Sequence, residues 1–190
     1  MTITVRPATE ADFEPFTKLD FTYTVGDRYL ELQRSGDEPE FTYSMRWRTG
    51  TPSERVYSEY SVDDLHRLQE ENDAFLVATL GSAGDGALAG YEMLLLQPSY
   101  YGAAQMNDLA VAKNARRSGV GRALVDAAAA WARERGLRAV WSSPNGNSKD
   151  TIDFYLSVGF RISGINDRWS ANTADTEPGQ HTIYMYLELG

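Results

Sequence analysis

The stretch Arg116-Arg117-Ser118-Gly119-Val120-Gly121-Arg122-Ala123 combines basic side chains with two closely spaced glycines. It follows the apolar run Leu109-Ala110-Val111 and opens a long helical pattern. A strand, a basic glycine loop and a helix start, in that order, suit the capture of an anion. The first four N–H groups of a helix have no partner inside it, and the helix dipole is positive at that end. Glycines let a phosphate approach those amides closely. Lys113, Arg116, Arg117 and Arg122 make the loop locally basic. The chemistry expected here is the binding of a phosphorylated cofactor.

Two common phosphate loops are excluded. A Walker loop ends in GK[ST], which does not occur in this chain. A dinucleotide fingerprint needs GxGxxG after the first strand, and here Leu124 stands where the third glycine would be. There is no Cys, so thiolate chemistry, disulfides and cysteine metal sites are absent. Two His, His66 and His181, leave little for a metal cluster, and no metal is expected. The net charge of −9 argues against a nucleic-acid partner, which requires a basic face. The charge is uneven: residues 1–104 hold 8 Lys and Arg against 18 Asp and Glu. An acidic first half would attract a cationic ligand, although charge alone favours a solvated acidic surface. No apolar run is long enough to span a membrane, and the start lacks the basic and apolar pattern of a signal peptide. A cytoplasmic location is the default expectation.

The elements that must position the loop follow from periodicity. A chain of 190 residues suits one domain, 1–190, with no internal repeat or linker. Strands are predicted over 2–6, 21–25, 28–33, 41–47, 74–80, 89–97, 105–111, 137–142, 160–164 and 182–189. Residues 35–39 and 81–86 read as turns. Helices are predicted over 10–19 after the N-cap Thr9, 62–70 after Ser61, 120–135 and 150–158. Val120, Leu124, Ala127, Ala128 and Trp131 share one helical face, and Gly136 closes that helix. The strand pair 74–97 reads as a hairpin. The class predicted is α/β with a mixed central sheet and helices on both faces.

Arg-Arg-Ser-Gly-Val-Gly-Arg-Ala after Leu-Ala-Val resembles the RxxGxG/A loop of the GNAT (GCN5-related) N-acetyltransferases. A second segment, Phe154-Tyr155 to Gly159-Phe160, resembles the closing segment of the same fold. The two motifs cover residues 105–160. The resemblance implies acetyl-CoA as cosubstrate, its pyrophosphate resting on the amides of Arg116–Ala123. It also implies a splayed strand at Leu109, Ala110 and Val111 whose N–H polarises the thioester carbonyl. Phe154 and the pair Asn147 and Ser148 fall where the family contacts the CoA arm; the usual Asn is replaced by Ser148 at that spacing. Tyr155 is the general-acid candidate for the departing thiolate. A core tyrosine is the bland alternative.

Asp108 lies beside the transfer point and is a candidate base, unless it is a carboxylate paired with an Arg or an amide. Glu92 and His181 are weaker candidates. Tyr23, Trp47, Tyr91, Tyr100, Tyr101 and Trp169 could line an acceptor pocket. Within the family the two ends, Leu19–Thr24 and Gly159–Met185, resemble streptothricin (nourseothricin) acetyltransferases, which act on a cationic antibiotic amine. Asn107 and Ala110 stand where those enzymes carry glutamates, and Ser142 and Ser143 where an acid is expected. The resemblance therefore implies a small-molecule amine as partner, and leaves open a protein or peptide acceptor or a CoA-binding module without catalysis. A homodimer is a family expectation.

Overall fold

The computed structural model describes residues 1–57, 59–81, 86–97, 102–168 and 178–190. They form two compact units. The first holds Met1–Tyr23, Val56–Ser142 and Leu187–Gly190; the second holds Thr24–Arg55 and Ser143–Tyr186.

The first unit is built on five strands in the order β1 (Thr2–Pro7), β6 (Ala74–Gly81), β7 (Ala87–Gln97), β8 (Ala103–Val111) and β9 (Ala139–Ser142). The first four are antiparallel neighbours, and β8 runs parallel to β9. The sheet is mixed, as the sequence predicts. Directly paired residues share a face. Phe75, Val77, Tyr91, Met93 and Ala110 lie on one face, with Asp108 opposite Met93. On that face Phe13 and Phe16 of α1 (Glu10–Phe16) stack on Phe75 and Tyr91, and Leu65 of α2 (Val62–Glu71) joins the same core. The other face carries Gly90, Glu92 and Leu109 and is covered by α3 (Val120–Glu134), with Val120 beside Gly90. Helices therefore sit on both faces.

The register of β7 and β8 shifts between Met93 and Leu94. Met93 faces Asp108, and Leu94 faces Met106, so Asn107 is the extra residue of a β-bulge. Met106 and Asp108 are two apart, which in a regular strand would put them on one face. The bulge separates them.

The helices end as their chemistry dictates. α3 closes with the Leu137 amide donating to the Ala132 carbonyl at 3.0 Å and Gly136 to Arg133 at 2.9 Å, with Gly136 left-handed at φ +68°. The predicted helix 10–19 stops early, at Phe16. Pro15 lacks an N–H and crowds the preceding turn. Lys18 and Leu19 then bond three residues back, to Pro15 and Phe16, instead of continuing the helix. α2 opens on a capping box, the Asp64 amide donating to the Ser61 hydroxyl and the Ser61 amide to the Asp64 carboxylate, both at 3.1 Å.

In the second unit β3 (Arg28–Asp37) and β4 (Glu40–Thr49) form an antiparallel ribbon, so the turn predicted at 35–39 shrinks to its last two residues. β2 (Thr22–Val25) pairs with β5 (Ser53–Val56), a strand not anticipated. α4 (Lys149–Ser157) precedes the antiparallel pair β10 (Arg161–Asn166) and β11 (Thr182–Glu188). Residues 82–85 of the predicted turn lie outside the described residues. No described helix is long and apolar enough to cross a membrane.

The entry to α1 is held by charge. Arg6 grips Asp12 through two 2.7 Å bonds, and the amide and hydroxyl of Thr9 donate to the same carboxylate at 2.8 and 2.9 Å. The Arg6 bonds, followed by those of Thr9, hold the Asp12 carboxyl at about 2 although burial opposes them. A depressed carboxyl stabilises the fold above the unfolded value of about 4 and loses that contribution as the pH falls towards 2. Because the Arg6 side is 41% exposed, screening reduces the effect to about 1–2 kcal/mol. Urea unfolding followed by circular dichroism should show D12N destabilised by that amount at pH 7, with the gap to the wild type narrowing between pH 4 and pH 2.

Candidate active site

The glycine loop sits where strand β8 hands over to helix α3. After Val111 a single 3-10 turn, Lys113–Ala115, carries the chain to Arg116. Arg117 takes φ +63° and Gly119 φ +96°, both left-handed. A left-handed arginine costs energy and persists only where its surroundings demand it. Arg116 Nε donates to the Val111 carbonyl at 3.1 Å, tying loop to strand. The Ser118 hydroxyl donates to the Ala115 carbonyl. Lys113 N donates to Asp20 O at 2.8 Å, anchoring the approach.

Gly119 is the N-cap of α3 and offers no side chain to its amides, and the first turn holds no acidic residue. The amide of Ala123 returns to the Gly119 carbonyl at 3.0 Å, so helical bonding starts there. The amides of Val120, Gly121 and Arg122 precede that first bond and face the end of the helix. The positive helix end, three uncapped amides and a basic rim fit a phosphate. Arg117, Ser118 and Gly119 are exposed at the tip, while Val120 and Leu124 are buried and root the helix in the sheet. Leu109, Ala110 and Val111 form the end of β8, next to β7.

Asp108 is 7% exposed. Its Oδ2 accepts from the hydroxyl of Tyr91 at 2.9 Å and from that of Tyr60 at 3.0 Å, and Tyr57 also donates to the carboxylate. The Leu109 backbone amide also favours the charged carboxylate, and Oδ1 is buried with no hydrogen-bond partner among the described residues. Burial pushes the Asp108 carboxyl up, and the three hydroxyls partly oppose it. Burial and the Asp108 charge likewise push the Tyr60 hydroxyl up. Of the pairings that the sequence left open, no Arg meets this carboxylate among the described residues, while the Leu109 backbone amide lies beside it with the three phenols. Phe16 and Phe21 pack against Tyr91, and Tyr23 meets Tyr57 edge-on at 5.9 Å.

Tyr57 and Tyr60 were invisible to the sequence reading. They lie in an irregular stretch ahead of α2, where neither helical nor strand spacing marks a shared target. Glu92 pairs with Leu109 on the opposite face, is fully buried, and neither of its oxygens has a hydrogen-bond partner. Burial pushes its carboxyl well above the usual carboxylate range. Ser142 donates to the Met106 carbonyl at 3.3 Å.

The remaining described candidates belong to the second unit. Tyr155 is buried in α4, its ring edge-on to Phe154 at 5.4 Å and to Phe160 at 5.1 Å. Ser148 is the N-cap of α4 and accepts from the Thr151 hydroxyl at 3.1 Å and the Thr151 amide at 3.4 Å. Asn147 is buried, and its carbonyl accepts from the Gly26 amide at 2.8 Å. His181 is half-buried, which pushes its imidazole down. Trp47 receives the Lys149 ammonium over its ring at 5.0 Å. Tyr100, Tyr101 and Trp169 lie outside the described residues. Among the described residues no cluster of three acidic or histidine side chains is placed to hold a metal ion.

Known proteins match this arrangement. A streptothricin acetyltransferase of Streptomyces lavendulae is 27% identical over 183 residues, 96% of this chain and 93% of the relative. The crystal structure of nourseothricin acetyltransferase superposes with a TM-score of 0.78 at 25% identity, covering all of both chains. A Bacillus anthracis acetyltransferase of the streptothricin type, solved in complex with acetyl coenzyme A, shares the fold at a TM-score of 0.77 and 22% identity over all of both chains. The acetyltransferase (GNAT) family model matches residues 39–160, a span that holds β8, the glycine loop, α3 and the Phe154-Tyr155 helix. The chain belongs to the GNAT acetyltransferase family.

Proposed function

We propose that the chain is an acetyl-CoA-dependent N-acetyltransferase acting on a primary amine of a small cationic acceptor, an aminated antibiotic of streptothricin type. The observation that carries the donor half is the uncapped start of α3 behind a left-handed Arg117 and Gly119. Arg116 to Ala123 would hold the pyrophosphate, and Asn147, Ser148 and Phe154 the arm. Acetyl-CoA, when bound, supplies the thioester acetyl group. The amides at Leu109 to Val111 stand at the end of β8, where a donor to a developing oxyanion would act.

The acceptor half rests on Asp108. A protonated amine cannot attack a carbonyl, so a base must first take its proton. A buried carboxylate whose proton affinity is raised by desolvation suits that task near neutral pH. Tyr155 is assigned as the acid that returns a proton to the leaving thiolate. Names of relatives and an acidic first half support a cationic antibiotic amine as acceptor, and antibiotic resistance as the role.

Three measurements test this reading. In calorimetry, R117A and G119A should each weaken CoA binding by roughly tenfold, about 1.4 kcal/mol; no binding by the wild type would sink the donor assignment. A thiol-release panel of streptothricin, other aminated antibiotics, polyamines and peptides should show turnover on the small cations, and turnover on peptides alone would reject the small-molecule acceptor. Y155F should lower kcat by about a hundredfold or more, and an unchanged rate would remove Tyr155 as the acid.

A further inference from the structure

Three tyrosine hydroxyls converge on one carboxylate in the first unit. Tyr91 comes from β7, while Tyr57 and Tyr60 come from the segment between β5 and α2. The donors differ in exposure. Tyr91 is fully buried under Phe16 and Phe21, Tyr60 is half-buried, and Tyr57 is 45% exposed. The set therefore runs from the aromatic core to the surface, with Asp108 at its centre.

Among the described residues no cation is paired with this carboxylate. All three donors are neutral phenols, which bind the charged form but leave its charge in place. A structural carboxylate buried in an enzyme core is normally paired with a cation, because an unpaired buried charge is costly. Here the missing positive charge matches the protonated amine that the proposed acceptor would bring. Oδ1 is buried and has no hydrogen-bond partner among the described residues, so it is the oxygen left to take a proton once an amine is seated against it, while Oδ2 is held.

We propose that Tyr57, Tyr60 and Tyr91 are positioning residues that clamp the Asp108 carboxylate through their hydroxyls, Tyr60 and Tyr91 on Oδ2, and hold it as the proton acceptor for the substrate amine. This rests on the reading of Asp108 as the base. The ammonium gives one proton to the carboxylate and becomes a neutral amine with a free electron pair. The carboxylic acid so formed releases the proton to water in a later step, and the carboxylate is restored.

The charged surroundings are few. On β7 the other titratable group, Glu92, points to the opposite face. From α2, Asp64 and Arg67 act on the Tyr60 hydroxyl with opposite signs. α1 and the loop after it present Phe16 and Phe21. The clamp hydroxyls favour the ionised carboxylate, so loss of one donor must raise the pH at which Asp108 ionises.

The test uses the intact protein labelled with 13C at aspartate carboxyls, with D108N identifying the Asp108 signal. In Y57F and Y60F the titration midpoint of that signal should rise by about one pH unit, with thermal melting reporting whether each variant is folded. Tyr91 is avoided because it is core. The acid limb of kcat/KM, measured on whichever amine the panel shows to be turned over, should move up by the same amount, with kcat at high pH retained. An Asp108 signal that stays put in both folded variants overturns the clamp. A signal that moves while the acid limb stays overturns the positioning role. If CoA binds but no amine is acetylated, the acetyltransfer reading and the positioning role both fail, and a moved signal would then describe a structural clamp only.

Discussion

One inserted residue governs the central strand. Asn107 bulges from β8 opposite the Met93–Leu94 step of β7. Strand alternation would turn Asp108 to the same face as Met106. With the bulge, Met106 stays with Leu94 while Asp108 turns to the face of Tyr91 and Met93. There the carboxylate finds phenol hydroxyls rather than hydrocarbon. The same strand, three residues later, delivers Val111 to the glycine loop, so the bulge also sets the register from which the loop departs.

The two carboxyls of this sheet show how environment divides roles. Glu92 and Asp108 lie on adjacent strands, both buried. Among the described residues Glu92 meets no hydrogen-bond donor, and burial alone pushes its carboxyl up. Asp108 is equally drawn towards neutrality by burial but is pulled back by three hydroxyls. Only the second has an exposed group, Tyr57, among its partners. Desolvation without donors makes an inert acid; desolvation with donors makes a carboxylate that can exchange a proton.

The glycine loop follows a different logic, in which backbone geometry does the work. Left-handed φ values at Arg117 and Gly119 open the chain ahead of α3, and no side chain caps the helix. Strain is stored at Arg117, while the packing of Val120 and Leu124 against the sheet holds the helix in place.

Much of this was legible from local chemistry. The loop, α3 with its Gly136 stop, the Ser61 cap of α2 and the hairpin of β6 and β7 are each written in a few adjacent residues, because caps, turns and amphipathic spacing act over one or two turns of chain. Tyr155 was legible as a member of a motif, and its burial between Phe154 and Phe160 follows from the helix and turn that carry it. Pro15 cut α1 short where periodicity ran on, since one missing N–H and a ring clash outweigh the apolar pattern. The partners of Asp108 were not legible: Tyr57 and Tyr60 are about fifty residues away in sequence, in a stretch with no periodic signal. Their convergence depends on the pairing of β7 with β8 and on a bulge that reverses one side chain. Local sequence therefore specified the backbone of the glycine loop, whose geometry arises within a single loop, while the surroundings of the carboxylate were settled by long-range strand register, which no local rule can set.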